Sequence, residues 1–296
     1  MKLRLLISIL VFCLIQWLND SIGLSIYLAD AAYYKDLINH AGSLSDVVYL
    51  SGANISVIIN VVSYSLILQV FGYLTPYLML FLINYFVDRL KINQLHKYVL
   101  VLYPPIITHV ALPVKEVLGY IITLAFLVGL NRMGYSILMI NRPVSTLMLI
   151  LWKKLNHMNL GYVNIIAVTL LISFLGYQVE LHTNILEDLG ADGISLLFHK
   201  MQLKYLYILI APFKLVIILF YELFNPNNYR LNYGLLMAVS SYFFLIYTVK
   251  ILLSRRFNRS FMLFLLFVGL MPILSHRYLV PLFPLFVVTY AKRKRI

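Results

Sequence analysis

Charge is what this sequence has least of. Asp, Glu, Lys and Arg make up only 12% of its 296 residues, where a soluble domain carries about a quarter. A water-soluble globular fold of this size is thereby excluded. Acid is scarcer than base, with 11 Asp and Glu against 24 Lys and Arg for a net charge of +13. Cysteine occurs once, as Cys13 in the first apolar run, which excludes an internal disulfide and a cysteine-rich metal site. The seven histidines are scattered, without the H-E-x-x-H spacing that puts two imidazoles on one helix face. A Walker A sequence, a glycine-rich dinucleotide turn and a nucleophile elbow are also missing. Nothing in the sequence indicates energy from ATP.

Apolar residues fill the space: 62% of the chain is hydrophobic and the mean hydropathy is +0.88. A bilayer core about 30 Å thick takes roughly 20 residues per helical span, so the length allows about 8 to 11 spans. Backbone polarity inside lipid dictates helices or a closed barrel. A barrel would alternate apolar and polar residues in segments of about ten, whereas the runs here are apolar on every face. The expected fold class is an all-α polytopic transmembrane helix bundle, a single integral membrane domain over residues 1–296.

Apolar runs fall near 4–19, 54–87, 98–113, 117–131, 134–151, 160–178, 203–224, 233–253, 260–275 and 278–291. The first, after a short basic start, has the shape of a signal peptide. It lacks a convincing small-x-small cleavage site and reads as an uncleaved span. The run 54–87 is long for one span and short for two, and Gly72 with Pro76 marks a hairpin or a kink. Basic clusters punctuate the runs: Lys2 and Arg4; Arg89, Lys91 and Lys97; Lys153 and Lys154; Arg255, Arg256 and Arg259; Lys292 to Arg295. Such clusters are topology signals under the positive-inside rule rather than a nucleic-acid surface. They put both termini in the cytoplasm, with a bacterial inner membrane as the expected location. The acidic segments 20–53 and 179–202 then read as outer-face loops. Simple alternation of ten spans cannot keep all the middle clusters inside. Either 54–87 is two helices, or 134–151 or 203–224 is re-entrant or lies along the interface.

Several residues stand out against this background. Asp30 and Asp36 bracket Tyr33 and Tyr34 on the outer face, where a carboxylate can act as a general base and the rings can meet a sugar or lipid headgroups. An ordinary solvated acidic loop is the alternative. The segment Tyr103-Pro-Pro-Ile-Ile-Thr-His-Val-Ala-Leu-Pro-Val-Lys115-Glu116 interrupts an apolar run with three prolines. Prolines free backbone carbonyls, which suits a lined cavity, while Lys115 and Glu116 can instead merely start the next helix. Arg142 before Pro143 is a charge inside an apolar run, expensive at depth unless partnered. Lys214 and Glu222 raise the same question and are expected to be structural. Near the end, Pro272-Ile-Leu-Ser-His276-Arg277-Tyr278-Leu-Val-Pro-Leu-Phe-Pro284 puts His276 and Arg277 one span from the cytoplasmic end. A cation at the outer face runs against the usual bias, and a phosphate or carboxylate is the natural ligand for its guanidinium.

Taken in order, Asp30-Ala-Ala-Tyr-Tyr, Pro104-Pro105 leading to Leu-Pro-Val-Lys-Glu-Val-Leu, Arg142-Pro143 and His-Arg-Tyr-Leu-Val-Pro-Leu-Phe-Pro resemble bacterial polytopic glycosyltransferases of the GT-C type. They also resemble the polymerases of O-antigen and capsule clusters. The chain is shorter than the larger members, leaving single-sugar transfer and repeat-unit polymerisation both open. The resemblance implies that an outer-face carboxylate, Asp30 by position with Asp36 and Glu116 as alternatives, deprotonates the acceptor hydroxyl. That hydroxyl attacks the anomeric carbon of a polyprenyl-(pyro)phosphate-linked sugar. Arg277 and Lys115, with Arg142 and His276, would hold the leaving phosphate, and Tyr33, Tyr34 and Tyr278 would contact sugar or lipid. The implied partners are the polyprenyl-linked saccharide, membrane lipid and other polysaccharide-assembly membrane proteins. No cofactor is called for, although a divalent metal held by such carboxylates is compatible with the residues. A transporter or lipid-linked saccharide flippase, with broken helices at Pro104/Pro105 and Pro281/Pro284 and a midplane path, is the reading from a different class. An accessory subunit without chemistry is the third.

Overall fold

The structure, a computed structural model, describes residues 1–22, 37, 39, 44–50, 55–111, 115–130, 143–157, 162–183, 201–202, 205–212, 215, 231–253, 259–270 and 279–293. The described residues form helices and no strand. In chain order the α-helices are α1 (Lys2–Ile22), α2 (Leu44–Leu50), α3 (Ile55–Phe71), α4 (Thr75–Arg89), α5 (Gln94–Val101), α6 (Pro104–His109) and α7 (Lys115–Leu127). They continue with α8 (Pro143–His157), α9 (Tyr162–Thr183), α10 (Leu231–Leu252), α11 (Arg259–Leu270) and α12 (Phe283–Arg293). Short 3-10 turns lie at Gly72–Leu74, Tyr207–Ile210 and Val280–Leu282.

Two stretches of the described chain, Lys2–Ser21 and Val57–Arg89, are long and apolar enough to cross a bilayer. Neither is a buried core helix. Leu3, Leu6, Leu10, Leu14 and Trp17 on α1, and Leu66, Val70 and Leu74 on the second stretch, are exposed. The run 54–87 therefore holds two helices in one long stretch, broken at Gly72–Leu74 with Gly72 at φ +51. That left-handed geometry is one that glycine adopts without a Cβ penalty.

Helices α1 and α4 lie side by side and antiparallel. Arg4 meets Asn84 and Asp88, Ser8 meets Asn84, and one turn further along Phe12 packs edge-on against Tyr77. This register brings Arg4, Arg89 and, through the short link after α4, Lys97 to one end of the molecule, called here the basic end. Asn93 caps α5 there, accepting from the His96 N–H at 3.0 Å.

The apolar run 98–113 is expected as a span, and here the structure differs. It is two short helices of 8 and 6 residues, α5 and α6, parted at Tyr103. The cause is local: Pro104 and Pro105 have no N–H to give to carbonyls one turn back, and proline pushes the preceding residue out of the helical region, as Tyr103 shows with ψ 118. Helix α7 then folds back along them, since Tyr120 donates to the Leu100 carbonyl at 2.7 Å and its ring stacks with Tyr103 at 6.0 Å. Farther down, Phe126 lies under the Lys153 ammonium at 5.9 Å. Residues 94–127 are thus a hairpin that starts and ends toward the basic end. At 1.5 Å per residue the 13 residues of α7 reach about 20 Å, and the arm from Gln94 to His109 about 24 Å.

Helices α11 and α12 meet through rings, Phe261 and Phe264 both packing on Phe286. Phe283 stacks on Tyr103 at 4.0 Å, so the break before α12 sits against the break before α6. The main apolar core gathers around this junction, with Leu100, Tyr103, Tyr120, Phe244, Phe264, Phe283 and Phe286 almost fully buried. Helix α10 closes it from the side: Tyr103 hydrogen-bonds Ser240, and Tyr247 and Phe244 pack on Phe283.

Candidate functional site

Buried polar side chains gather at the two ends of the first hairpin. The basic end holds the denser network. Arg4, only 2% exposed, donates from Nε to Asn84 Oδ1 at 3.1 Å, from Nη2 to Asp88 Oδ1 at 3.0 Å and from Nη1 to Gln94 Oε1 at 3.4 Å. Asn84 turns its amide to Ser8 Oγ at 3.2 Å and to the Leu80 carbonyl at 2.9 Å. Lys97 donates to the Asp88 carbonyl at 2.8 Å. A guanidinium taken out of water needs such a full set of acceptors. Beside it His96 Nδ1 lies 2.9 Å from the Tyr247 hydroxyl, its ring edge-on to Tyr290. The connections run from α1 to α4 and from α5 to α10 and α12, so this network bolts helices together.

The far end, the tip of the hairpin, has a different character. Thr108 and His109 close α6, and Lys115 and Glu116 open α7. Thr108 Oγ1 donates back to the Pro104 carbonyl at 2.8 Å. His109, fully buried, has Nδ1 at 2.7 Å from the Pro105 carbonyl and 2.8 Å from Thr108 Oγ1. A carbonyl only accepts, so the proton is on Nδ1 and the basic nitrogen of the neutral ring is Nε2. Glu116 is 4% exposed, whereas Lys115 is half-buried. Glu116 stands one turn before Tyr120 and therefore on the face of α7 that meets α5 and α6. Its position in the first turn is one where the helix dipole favours a carboxylate.

Of the residues expected to carry chemistry, Lys115 and Glu116 fall among those described, and they occupy this tip together. Asp30, Asp36, Tyr33, Tyr34, Arg142, His276, Arg277 and Tyr278 lie outside the described residues, as do Lys214 and Glu222. The chain on either side of three of them is in view. Pro143, directly after Arg142, starts α8, and Leu279, directly after Tyr278, is buried where the 3-10 turn Val280–Leu282 packs on α7 and α8.

The sequence reading missed His109 and the burial of Arg4. A signal for the first exists in retrospect: in Pro-Pro-Ile-Ile-Thr-His each polar residue follows a proline by four positions, the spacing at which a side chain can reach back to the carbonyl one turn earlier. For the second, Asn84 and Asp88 are four apart in an otherwise apolar helix, one face of a helix. Among the described residues no three His, Cys, Asp or Glu gather to hold a metal ion. No family model, curated protein or solved structure matches the chain.

Proposed function

We propose that this protein is a multi-pass membrane glycosyltransferase of GT-C-like architecture. Its donor is a sugar on a polyprenyl (pyro)phosphate, used at the outer face of a bacterial inner membrane in O-antigen, capsule or other surface polysaccharide assembly. The observation that carries the reading is the position of Lys115 and Glu116. They sit at the tip of the hairpin, opposite the end where Arg4, Arg89 and Lys97 gather. With the basic end in the cytoplasm under the positive-inside rule, a tip about 20 to 24 Å away along the arms lies in the outer half of the bilayer. A donor that cannot leave the membrane presents its phosphate in that half.

In this reading residues 94–127 leave and return on the cytoplasmic side, which keeps Arg89, Lys91 and Lys97 on one face with both termini. The reaction is a displacement at the anomeric carbon. The acceptor oxygen forms the new bond, the bond to the phosphate oxygen breaks, and the acceptor proton passes to a base at the site. Glu116 is the carboxylate in position among the described residues, with Asp30 and Asp36 supplied from the outer loop by the family resemblance. Lys115 and Arg277 neutralise the charge that develops on the leaving phosphate, with Arg142 and His276 beside them.

Replacing Glu116 by Gln keeps its volume and removes its basicity. General-base catalysis contributes about 100- to 10,000-fold, so Glu116→Gln is expected to abolish surface glycan extension in cells while the protein still reaches the membrane. Asp30→Asn is the parallel substitution. Wild-type glycan in both variants would show that neither carboxylate is the base.

A further inference from the structure

We propose that the basic end holds an anionic phospholipid, its phosphate on Arg89 and Lys91 and one acyl chain along the rings of Tyr85 and Phe81. Such a site needs a bilayer but no sugar transfer. A surplus of cations is the first sign of it. Lys2 and Arg4 on α1 come to this end beside Arg89, Lys91 and Lys97. The carboxylate there, Asp88, is already engaged: its Oδ1 lies 3.0 Å from Arg4 Nη2 and 3.8 Å from Lys97 Nζ. Arg4 and Lys97 are buried, whereas Lys2, Arg89 and Lys91 are exposed and make no ion pair among the described residues. Their counterion has to come from outside the chain.

Arg89 is held in place without an acid. Its Cζ stands 4.2 Å from the centre of the Tyr85 ring, within the range at which a ring face attracts a cation. Tyr85 in turn stacks on Phe81, with centroids 6.3 Å apart. These residues recur every four positions on α4 and so form one line on its surface. The line runs from the basic end toward the apolar middle of the helix and ends at Phe81, which is 41% exposed. From Arg89 to Phe81 it is about 12 Å long, most of the roughly 15 Å of hydrocarbon in one leaflet. Lys91 follows Arg89 in the link to α5, where it adds a second exposed cation. A guanidinium and an ammonium at the head of an apolar strip complement a phosphodiester that carries acyl chains. The cations bond the phosphate oxygens, and a tail covers the rings. Lys2 adds to the field that draws anionic headgroups to this end. A topology signal alone, or a soluble anion, would use the charges and leave the rings without a role.

The test is native mass spectrometry of the full-length protein in detergent, titrated with dioleoyl phosphatidylglycerol or dioleoyl phosphatidylcholine, with inorganic phosphate as a competitor. Wild type is expected to take its first phosphatidylglycerol more tightly than phosphatidylcholine and to keep it when inorganic phosphate is added. A cation beside an anionic headgroup is worth about five-fold in affinity, so Arg89→Gln with Lys91→Gln should weaken that first lipid by about 25-fold. Tyr85→Leu keeps both cations but removes the ring under Arg89, and it should weaken binding several-fold. Lys153→Gln with Lys154→Gln, at another basic cluster, should change nothing. Equal affinity of wild type for the two lipids overturns the site whether or not any variant folds. So does an equal loss in the Lys153/Lys154 variant, which would mark diffuse attraction, or displacement by inorganic phosphate, which would make the ligand a free anion. Sugar transfer is not read in this experiment, so the site and the glycosyltransferase reading stand or fall separately.

Discussion

Pro104 withholds the N–H that the Leu100 carbonyl would receive in a continuous helix, and the Tyr120 hydroxyl donates in its place at 2.7 Å. Both groups are buried, so the exchange is not with water. Leaving a buried acceptor unmet costs about 1 to 3 kcal/mol. Tyr120→Phe is therefore expected to lower the thermal midpoint of the purified protein in detergent by several degrees without altering helix content. An unchanged midpoint would mean that Leu100 finds another donor. At this scale the sequence was partly readable. The three prolines announced a broken helix and freed carbonyls, and Lys115-Glu116 announced its far side. What could not be read is which groups answer those carbonyls, because Tyr120 is 20 positions from Leu100 and Ser240 is 137 from Tyr103. Arg4 looked like a topology signal alone. Its partners Asn84 and Asp88 lie on another helix, and only packing brings them together.

At the scale of elements, the decisive feature is that residues 94–127 turn back. Hydropathy counts 98–113 and 117–131 as two spans, since it registers apolar residues and not the hydrogen bonds the prolines remove. Of the alternatives that the charge pattern left open, 54–87 does divide into two helices, while residues 134–142 and most of 203–224 lie outside the described residues. Cys13 is the only cysteine, so a Cys13→Ser background gives a clean labelling experiment. Single cysteines at Lys91 and Lys154 are expected to react with a membrane-impermeant maleimide only in inside-out vesicles, and from one side alone. Labelling of the two from opposite sides would mean that Lys91 and Lys154 do not share the cytoplasmic face.

Across the whole molecule, the break before α6 and the break before α12 meet ring to ring at Tyr103 and Phe283, and α1, α7 and α10 pack on α6. Arg4, Arg89 and Lys97 lie toward one end of this body, and Lys115 and Glu116 toward the other. A transporter needs a polar path through the midplane, whereas an enzyme acting on a lipid-linked donor needs reactive groups in one leaflet. The tip residues Lys115 and Glu116 suit the second. Reconstitution of the purified chain in vesicles with a polyprenyl-pyrophosphate-linked saccharide separates the two directly. The account predicts a longer lipid-linked glycan, by one sugar or as a ladder, that disappears with Glu116→Gln. Passage of the unaltered lipid-linked saccharide from one leaflet to the other, with no new glycosidic bond, would contradict it.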